Sequence, residues 1–517
     1  MRVKGRKEWS CKIGFLSALP DEKASHAGRS TKSIAYFGFG LLLIYLIHRG
    51  LEKMFYGKTV LSGVLVEATK AGSTNVYTSA TTNASGYLLL VEADTIYNLK
   101  FTKAGYEEQI RTNVNVGKAL TMDDVIMVPA TTEPPFAGGS GTATDPYLLT
   151  DPAHLDAVRT NLSAHYKLDG NIDLASWGNW EPIGTLSVKQ YQLPISYDYD
   201  NAFSGVFDGN GYEIKNMTST GGLFGCLYTA TVKNIGVANS TVNSTGSAGG
   251  IAKSAFSSVI SNCRNMGTVT GTATETGGIA GYIHNSKINN CYNTGTISTT
   301  VTNAGACAGG IVGYSVASEI TNCNNKGAVR ATSNLAVYAG GIVGRASNHE
   351  GLVAAGSTVI KLSYNTGSIE ASYTGTSTSA NAGGVVGNAG GGDYSLIVEN
   401  CYNIGKISLT SSVGSVGGII GGQANSTVRT CYNIGIVERY NAITGYANFG
   451  AVVTDCYYLN DSGYPHYVGN GTFTNVLPLV DAQMKQQASF VGFDFGNVWA
   501  INPAINNGYP YLRGMQP

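Results

Sequence analysis

Apolar and polar positions follow one pattern that recurs over most of the chain. A glycine pair opening a short apolar stretch appears as GGLFG (221–225), GGIAK (249–253), GGIAG (277–281), GGIVG (309–313), GGIVG (340–344), GGVVG (383–387) and GGIIG (417–421). Between these copies lies a second element: ISNCRNMGTV (260–269), INNCYNTGTI (288–297), ITNCNNKGAV (320–329), IKLSYNTGSI (360–369), VENCYNIGKI (398–407) and VRTCYNIGIV (428–437). Val453-Thr-Asp-Cys456 is a truncated last copy. The first Gly precedes the Cys by 14 residues in four units, Gly249 to Cys263, Gly277 to Cys291, Gly309 to Cys323 and Gly417 to Cys431. Gly221 to Ile235 repeats the spacing, with Ile in the Cys slot.

A unit of this size holds about three short strands and cannot bury its apolar side alone. Stacking the units in register does so, each coil rising about 4.8 Å over the last. The expected architecture of 142–517 is therefore all-β, a right-handed parallel β-helix of about eight or more coils. Ile260, Ile288, Ile320, Ile360, Val398 and Val428 should stack inside. Asn265, Asn293, Asn325, Asn365, Asn403 and Asn433 should form a ladder that satisfies turn amides, and the Gly two residues later should take the tight bend. Residues 151–163 are expected to form a helix that caps the first coil and protects its edge.

Upstream the pattern changes. Short apolar or alternating stretches at 60–68, 87–91, 97–101 and 125–128, separated by turn residues, predict a small β-sandwich over 57–130. Thr81-Thr-Asn-Ala-Ser-Gly-Tyr87 and Tyr97-Asn-Leu-Lys-Phe-Thr-Lys-Ala-Gly-Tyr106 resemble the carboxypeptidase regulatory-like (transthyretin-like) domain, which implies a non-catalytic spacer. A linker follows at 131–141, with Pro134-Pro135 and Gly138-Gly139. Before the sandwich, residues 34–47 are apolar apart from small breaks, and 33–50 reads as a single signal-anchor helix or signal-peptide core. Residues 1–32 carry eight Lys/Arg against three acids, a basic tail that would stay cytoplasmic and send the rest outward. The expected location is the cell surface, anchored in the membrane by this N-terminal segment. Sequons at Asn83, Asn161, Asn216, Asn239, Asn243, Asn425, Asn460 and Asn470 are consistent with export.

The repeats resemble the GLUG-motif family of bacterial and archaeal surface proteins. Gly139-Ser-Gly-Thr-Ala-Thr-Asp-Pro-Tyr-Leu148, Trp180-Glu-Pro-Ile-Gly184, Phe203-Ser-Gly-Val-Phe-Asp-Gly-Asn-Gly211 and Asn507-Gly-Tyr-Pro-Tyr-Leu512 extend the resemblance to both ends of the array. It implies an adhesin-like module that presents a β-helix to a glycan or protein ligand. The alternatives are a carbohydrate-active β-helix enzyme of the polysaccharide lyase or hydrolase kind and a viral receptor-binding spike.

Composition narrows the chemistry. Lys+Arg and Asp+Glu are equal at 33, so nothing draws the chain to nucleic acid. Charged residues are 13% of the chain, hydrophobic residues 43%, and Gly reaches 68 against 13 Pro, a vocabulary of strands and turns rather than of disorder or of a helical enzyme. No catalytic set and no cofactor is expected. His349-Glu350-Gly-Leu-Val353 lacks the second His of a zinc motif. Asp198 and Asp200 are weak calcium candidates. The repeat Cys slots also accept Ile235 and Ser363, so these thiols should be free and buried. The Gly-to-Cys spacing grows to 23 between Gly340 and Ser363 and to 18 between Gly383 and Cys401. The extra residues, at 345–357 and 388–394, must leave as loops, which makes His349, Glu350, Asp393 and Tyr394 the candidate ligand-binding residues.

Overall fold

The computed structural model describes residues 9–16, 41–44, most of 64–127, and 136–515 apart from 191–195, 348–355, 376–379, 391–394, 461–466 and a few shorter gaps. The chain divides into two compact units, 1–134 and 135–517.

The first unit contains two four-stranded antiparallel sheets. One orders Val76–Thr81, Leu65–Lys70, Thr95–Thr102 and Gln109–Val116, and its alternation buries Val66, Ala68, Tyr97, Leu99 and Phe101. The other orders Leu89–Glu92, Leu41–Ile44, Trp9–Leu16 and Ala119–Met127. This corrects the expectation of one continuous helix over 33–50, because Leu41–Ile44 is a strand paired on both sides. A short apolar run carries no period that separates strand from helix, and here neighbouring strands supply its backbone partners. The rest of 33–50 lies outside the described residues. Among the described residues no helix is long and apolar enough to cross a membrane.

The second unit is a parallel β-helix. Its first ladder stacks twelve described strands, from Tyr147–Leu149 through Lys287–Asn289 and Glu319–Thr321 to Thr472–Leu479. Ile260, Ile288, Ile320, Ile360, Val398 and Val428 are directly in register and buried, as the repeat requires. A coil is divided more finely than into three strands. One turn runs through Glu275–Gly277, Ala280–His284, Lys287–Asn289, Tyr292–Asn293 and Ile297–Val301, because the glycine pair and the Asn-x-Gly corner each bend the backbone.

The buried asparagines form a continuous ladder. Each Nδ2 donates to the Oδ1 of the next coil's Asn: Asn265 to Asn293 at 2.7 Å, then Asn293 to Asn325, Asn325 to Asn365, Asn365 to Asn403 and Asn403 to Asn433, all at 2.8 Å. The same Nδ2 also donates to the carbonyl of the Gly two residues on, as from Asn325 to Gly327 at 2.8 Å. That glycine's N–H returns a bond to Oδ1 at 3.3 Å. Two donors and one acceptor oxygen are thereby used within a dry interior, where an unpaired polar group is costly.

The glycines serve close approach, not the tight bend. Left-handed φ falls one residue before the Cys slot, at Asn262 (55°), Asn290 (52°), Asn322 (55°), Leu362 (50°), Asn400 (53°) and Thr430 (50°), where a short polar side chain tolerates it best. At Gly327, by contrast, a Cβ would drive into the carbonyl oxygen of Gly295 in the coil before. From Gly250 onward the second glycine of each pair meets the ladder from across the coil: a Cβ on Gly310 would strike the Asn325 side chain, and one on Gly384 that of Asn403. Opposite walls touch there, so the Gly-Gly and Asn-x-Gly motifs are halves of one contact.

The N-terminal cap is shorter than 151–163. Helix Pro152–Ala157, N-capped by the Asp151 carboxylate accepting from His154 N at 2.9 Å, passes into a 3-10 turn at Val158–Thr160. Asn161 Oδ1 then takes the Ser163 N–H at 3.3 Å, and this local turn ends the helix. Leu155 and Val158 close the core over Leu149. At the other end, a segment containing helix Asp481–Met484 lies along the outside of the last coils. Its Met484, Phe490, Phe493 and Trp499 cover a column of tyrosines, with Tyr364, Tyr402 and Tyr432 stacked at 4.8 and 5.0 Å between ring centroids. Trp499 Nε1 donates to Asn400 Oδ1 at 3.1 Å.

Candidate functional site

The four loop residues chosen from sequence, His349, Glu350, Asp393 and Tyr394, lie outside the described residues. The strands that lead into these loops are described. Arg345 belongs to strand Val343–Ala346 and Asn388 to strand Val386–Ala389, so the insertions begin after those strands and not at 345 and 388. Asp198 ends a hairpin, Ser187–Gln190 with Ser196–Asp198, and its Oδ1 accepts the Asp200 N–H at 3.1 Å. Among the described residues no three His, Cys, Asp or Glu side chains gather as a metal site.

The repeat cysteines have a structural task. Cys263, Cys291, Cys323, Cys401, Cys431 and Cys456 are buried and unpaired as disulfides, and each thiol donates to the carbonyl two residues back at 3.2–3.3 Å. Ser363 makes the same bond at 2.8 Å and accepts the Cys323 N–H at 3.1 Å. A thiol and a hydroxyl are thus interchangeable here. Cys323→Ser should change unfolding free energy by less than about 1 kcal/mol, whereas Cys323→Val, which loses the donor, should cost more, by about 1 kcal/mol. Urea unfolding of both variants decides this.

Burial pushes the Cys263, Cys291 and Cys431 thiols well above their ordinary range, and Cys226 up to about 12. An acid whose folded pKa is raised stabilises the fold below its unfolded pKa and loses that contribution as pH rises towards the folded one. The array should therefore be at full stability below about pH 9, weaken steadily from there towards pH 12, and react with a maleimide at neutral pH only after denaturation. Thermal melts across pH 7–11 and mass-spectrometric counting of labelled thiols check both statements.

On the outer faces, acids are matched to bases one or two coils away. Arg264 lies 3.0 Å from Glu213 and holds its carboxyl below the usual range. Arg429 at 3.0 Å and Lys361 at 3.3 Å outweigh partial burial at Glu399 and lower its pKa too. Carboxylates held ionised in this way are poor proton donors.

A different surface flanks the corner beside the glycine pairs. Here the third glycine of each GGxxG element brings one strand hard against the strand of the coil before; a Cβ on Gly387 would come within 2.8 Å of Ala339 N. Two rows face each other across this corner. One is Tyr338, Asn381, Ser415; the other is Tyr314, Arg345, Asn388, Gly422, Tyr446, each in strict register. The Arg345 guanidinium lies over the Tyr338 ring at 5.0 Å and the Tyr314 ring at 5.5 Å. Tyr314 Oη and Ser347 Oγ are 2.6 Å apart. The spacing of the repeat puts Arg345 and Asn388 at the start of the inserted loops, whereas both lie in strands. The signal was present in the position after GGxxG, which reads Tyr282, Tyr314, Arg345, Asn388, Gly422 where the neighbouring core positions hardly vary.

The GLUG motif model matches residues 272–298 and 304–330, so the parallel β-helix carries GLUG repeats. A "Putative Gly-rich membrane protein" of Evansella cellulosilytica is 35% identical over 126 residues, 22% of this chain and 13% of that protein. Halomucin of Haloquadratum walsbyi is 31% identical over 116 residues, 20% of this chain. The aligned part spans only 13% and 1% of the length of these relatives. Among solved structures, a "putative immunoglobulin A1 protease" of Bacteroides ovatus aligns with a TM-score of 0.44 and 20% identity, over 74% of this chain and 96% of that one.

Proposed function

We propose that the protein is a membrane-tethered cell-surface protein whose β-helix binds a glycan or protein ligand without transforming it. The observation that carries the reading is the GLUG array itself, beside partial likeness to a protein named for the membrane and to halomucin. The fold is suited to the role: every interior polar group described in the Asn ladder is consumed by stacking, so variation is confined to outward rows and loops. The ion-paired state of Glu213 and Glu399 favours a binding scaffold over an acid–base enzyme. Binding of the full chain to a glycan array and to intact cells tests the reading. Saturable, selective binding with no change in ligand mass is the expected result; a product of cleavage would replace it with the enzyme alternative.

A further inference from the structure

We propose that the corner groove between Arg345, Asn381 and Asn388 binds an acidic oligosaccharide, a glycan segment bearing carboxylate sugars. This rests on the reading of the array as a surface binding scaffold and names the ligand class and its place. Arg345 Nε is buried and has no hydrogen-bond acceptor among the described residues. Leaving such a donor unmet is costly, more so for a charged group. The tyrosine rings beneath hold the guanidinium plane, and a planar guanidinium offers a carboxylate two parallel N–H bonds.

One coil further on lie the side-chain amides of Asn381 and Asn388, in register with Tyr338 and Arg345. They converge over Gly422, where a Cβ would sit 2.8 Å from Asn381 Nδ2 and 3.2 Å from Asn388 Nδ2. The amides thus take the space a side chain at 422 would fill, and Gly422 is what lets them lie together there. Carboxamides both donate to and accept from sugar hydroxyls. At the next position in the row, Tyr446 is 44% exposed and offers a ring face on which a sugar can lie. Charge, amides and aromatic ring succeed each other at the coil spacing of about 4.8 Å, which suits a chain laid along the axis, one sugar per coil or so. A peptide fits less well, because the backbone groups of Arg345, Asn381 and Asn388 are already spent in the ladders on both sides.

Calorimetric titration of the full chain with tetragalacturonate, with its carboxyl-reduced neutral counterpart and with tetraglutamate tests the proposal. The acidic sugar should bind at least tenfold more tightly than either of the others. Arg345→Gln should lose at least tenfold for the acidic sugar while leaving the neutral one unchanged, Arg345→Lys should fall between, and Asn388→Ala should lose about threefold. Thermal midpoints of all variants are read alongside, and Arg345→Lys guards against a folding defect in Arg345→Gln. Equal binding by Arg345→Gln and wild type, no binding of tetragalacturonate by wild type, or equal binding of tetraglutamate would each overturn it. Cell or glycan adhesion that survives Arg345→Gln would remove the ligand from this groove yet leave the surface-binding function standing.

Discussion

Asn325→Leu should be among the most damaging single changes in the array, lowering unfolding free energy by about 4 kcal/mol or more. Leucine has a similar volume, so the change isolates the hydrogen bonds. It strands one donor of Asn293, the Oδ1 acceptor of Asn365 that Asn325 Nδ2 serves, and both backbone groups of Gly327 that Asn325 satisfies. Each such group costs roughly 1–3 kcal/mol when left buried and unpaired, and the ladder couples the loss to coils on both sides. Urea unfolding, with amide hydrogen exchange at Gly295, Gly327 and Gly367, measures the size and spread of the effect. A loss below about 1 kcal/mol would mean that the ladder is incidental to stability.

The second large effect is expected at Gly327→Ala. The new methyl would lie against the Gly295 carbonyl oxygen and 2.8 Å from Asn293 Nδ2, contacts that only a separation of coils can relieve. Overpacking a rigid interior ordinarily costs about 1–3 kcal/mol, and a backbone carbonyl that cannot rotate away places this site at or above the upper end. Gly170→Ala is the matched control, since nothing lies within 4 Å of its Cβ position. It should stay within about 0.5 kcal/mol of wild type. Thermal midpoints of the two variants, measured together, separate close stacking from a general intolerance of alanine. Equal midpoints would show that the coils can part at little cost.

The repeat made the coil legible from sequence because stacking enforces the same residue at the same place. Inward Ile288 and Ile320, the Asn293–Asn325 ladder and the free thiol of Cys291 all follow from identity at fixed spacing. What the spacing does not encode is which wall an element touches. Gly310 and Asn325 are a single contact through the coil, and only the closed cross-section reveals it. The left-handed residue was assigned to the glycine because glycine is freest, while Asn290 and Asn322 hold that conformation and the glycine yields space to a carbonyl. Leu41–Ile44 was read as part of a helix from apolarity alone; its strand partners, Trp9–Leu16 and Leu89–Glu92, are distant in sequence. The corner groove escaped notice for the opposite reason. Arg345, Asn381 and Asn388 break the repeat, and what breaks a repeat on an outward row is where recognition can be written.

The central claim is that this array faces the outside of a cell. Brief protease treatment of intact cells producing the full chain, followed by mass spectrometry of released and retained peptides, tests it most directly. Peptides from 142–517 should be released from intact cells. Protection of the array in intact cells, with cleavage only after lysis, would contradict the account.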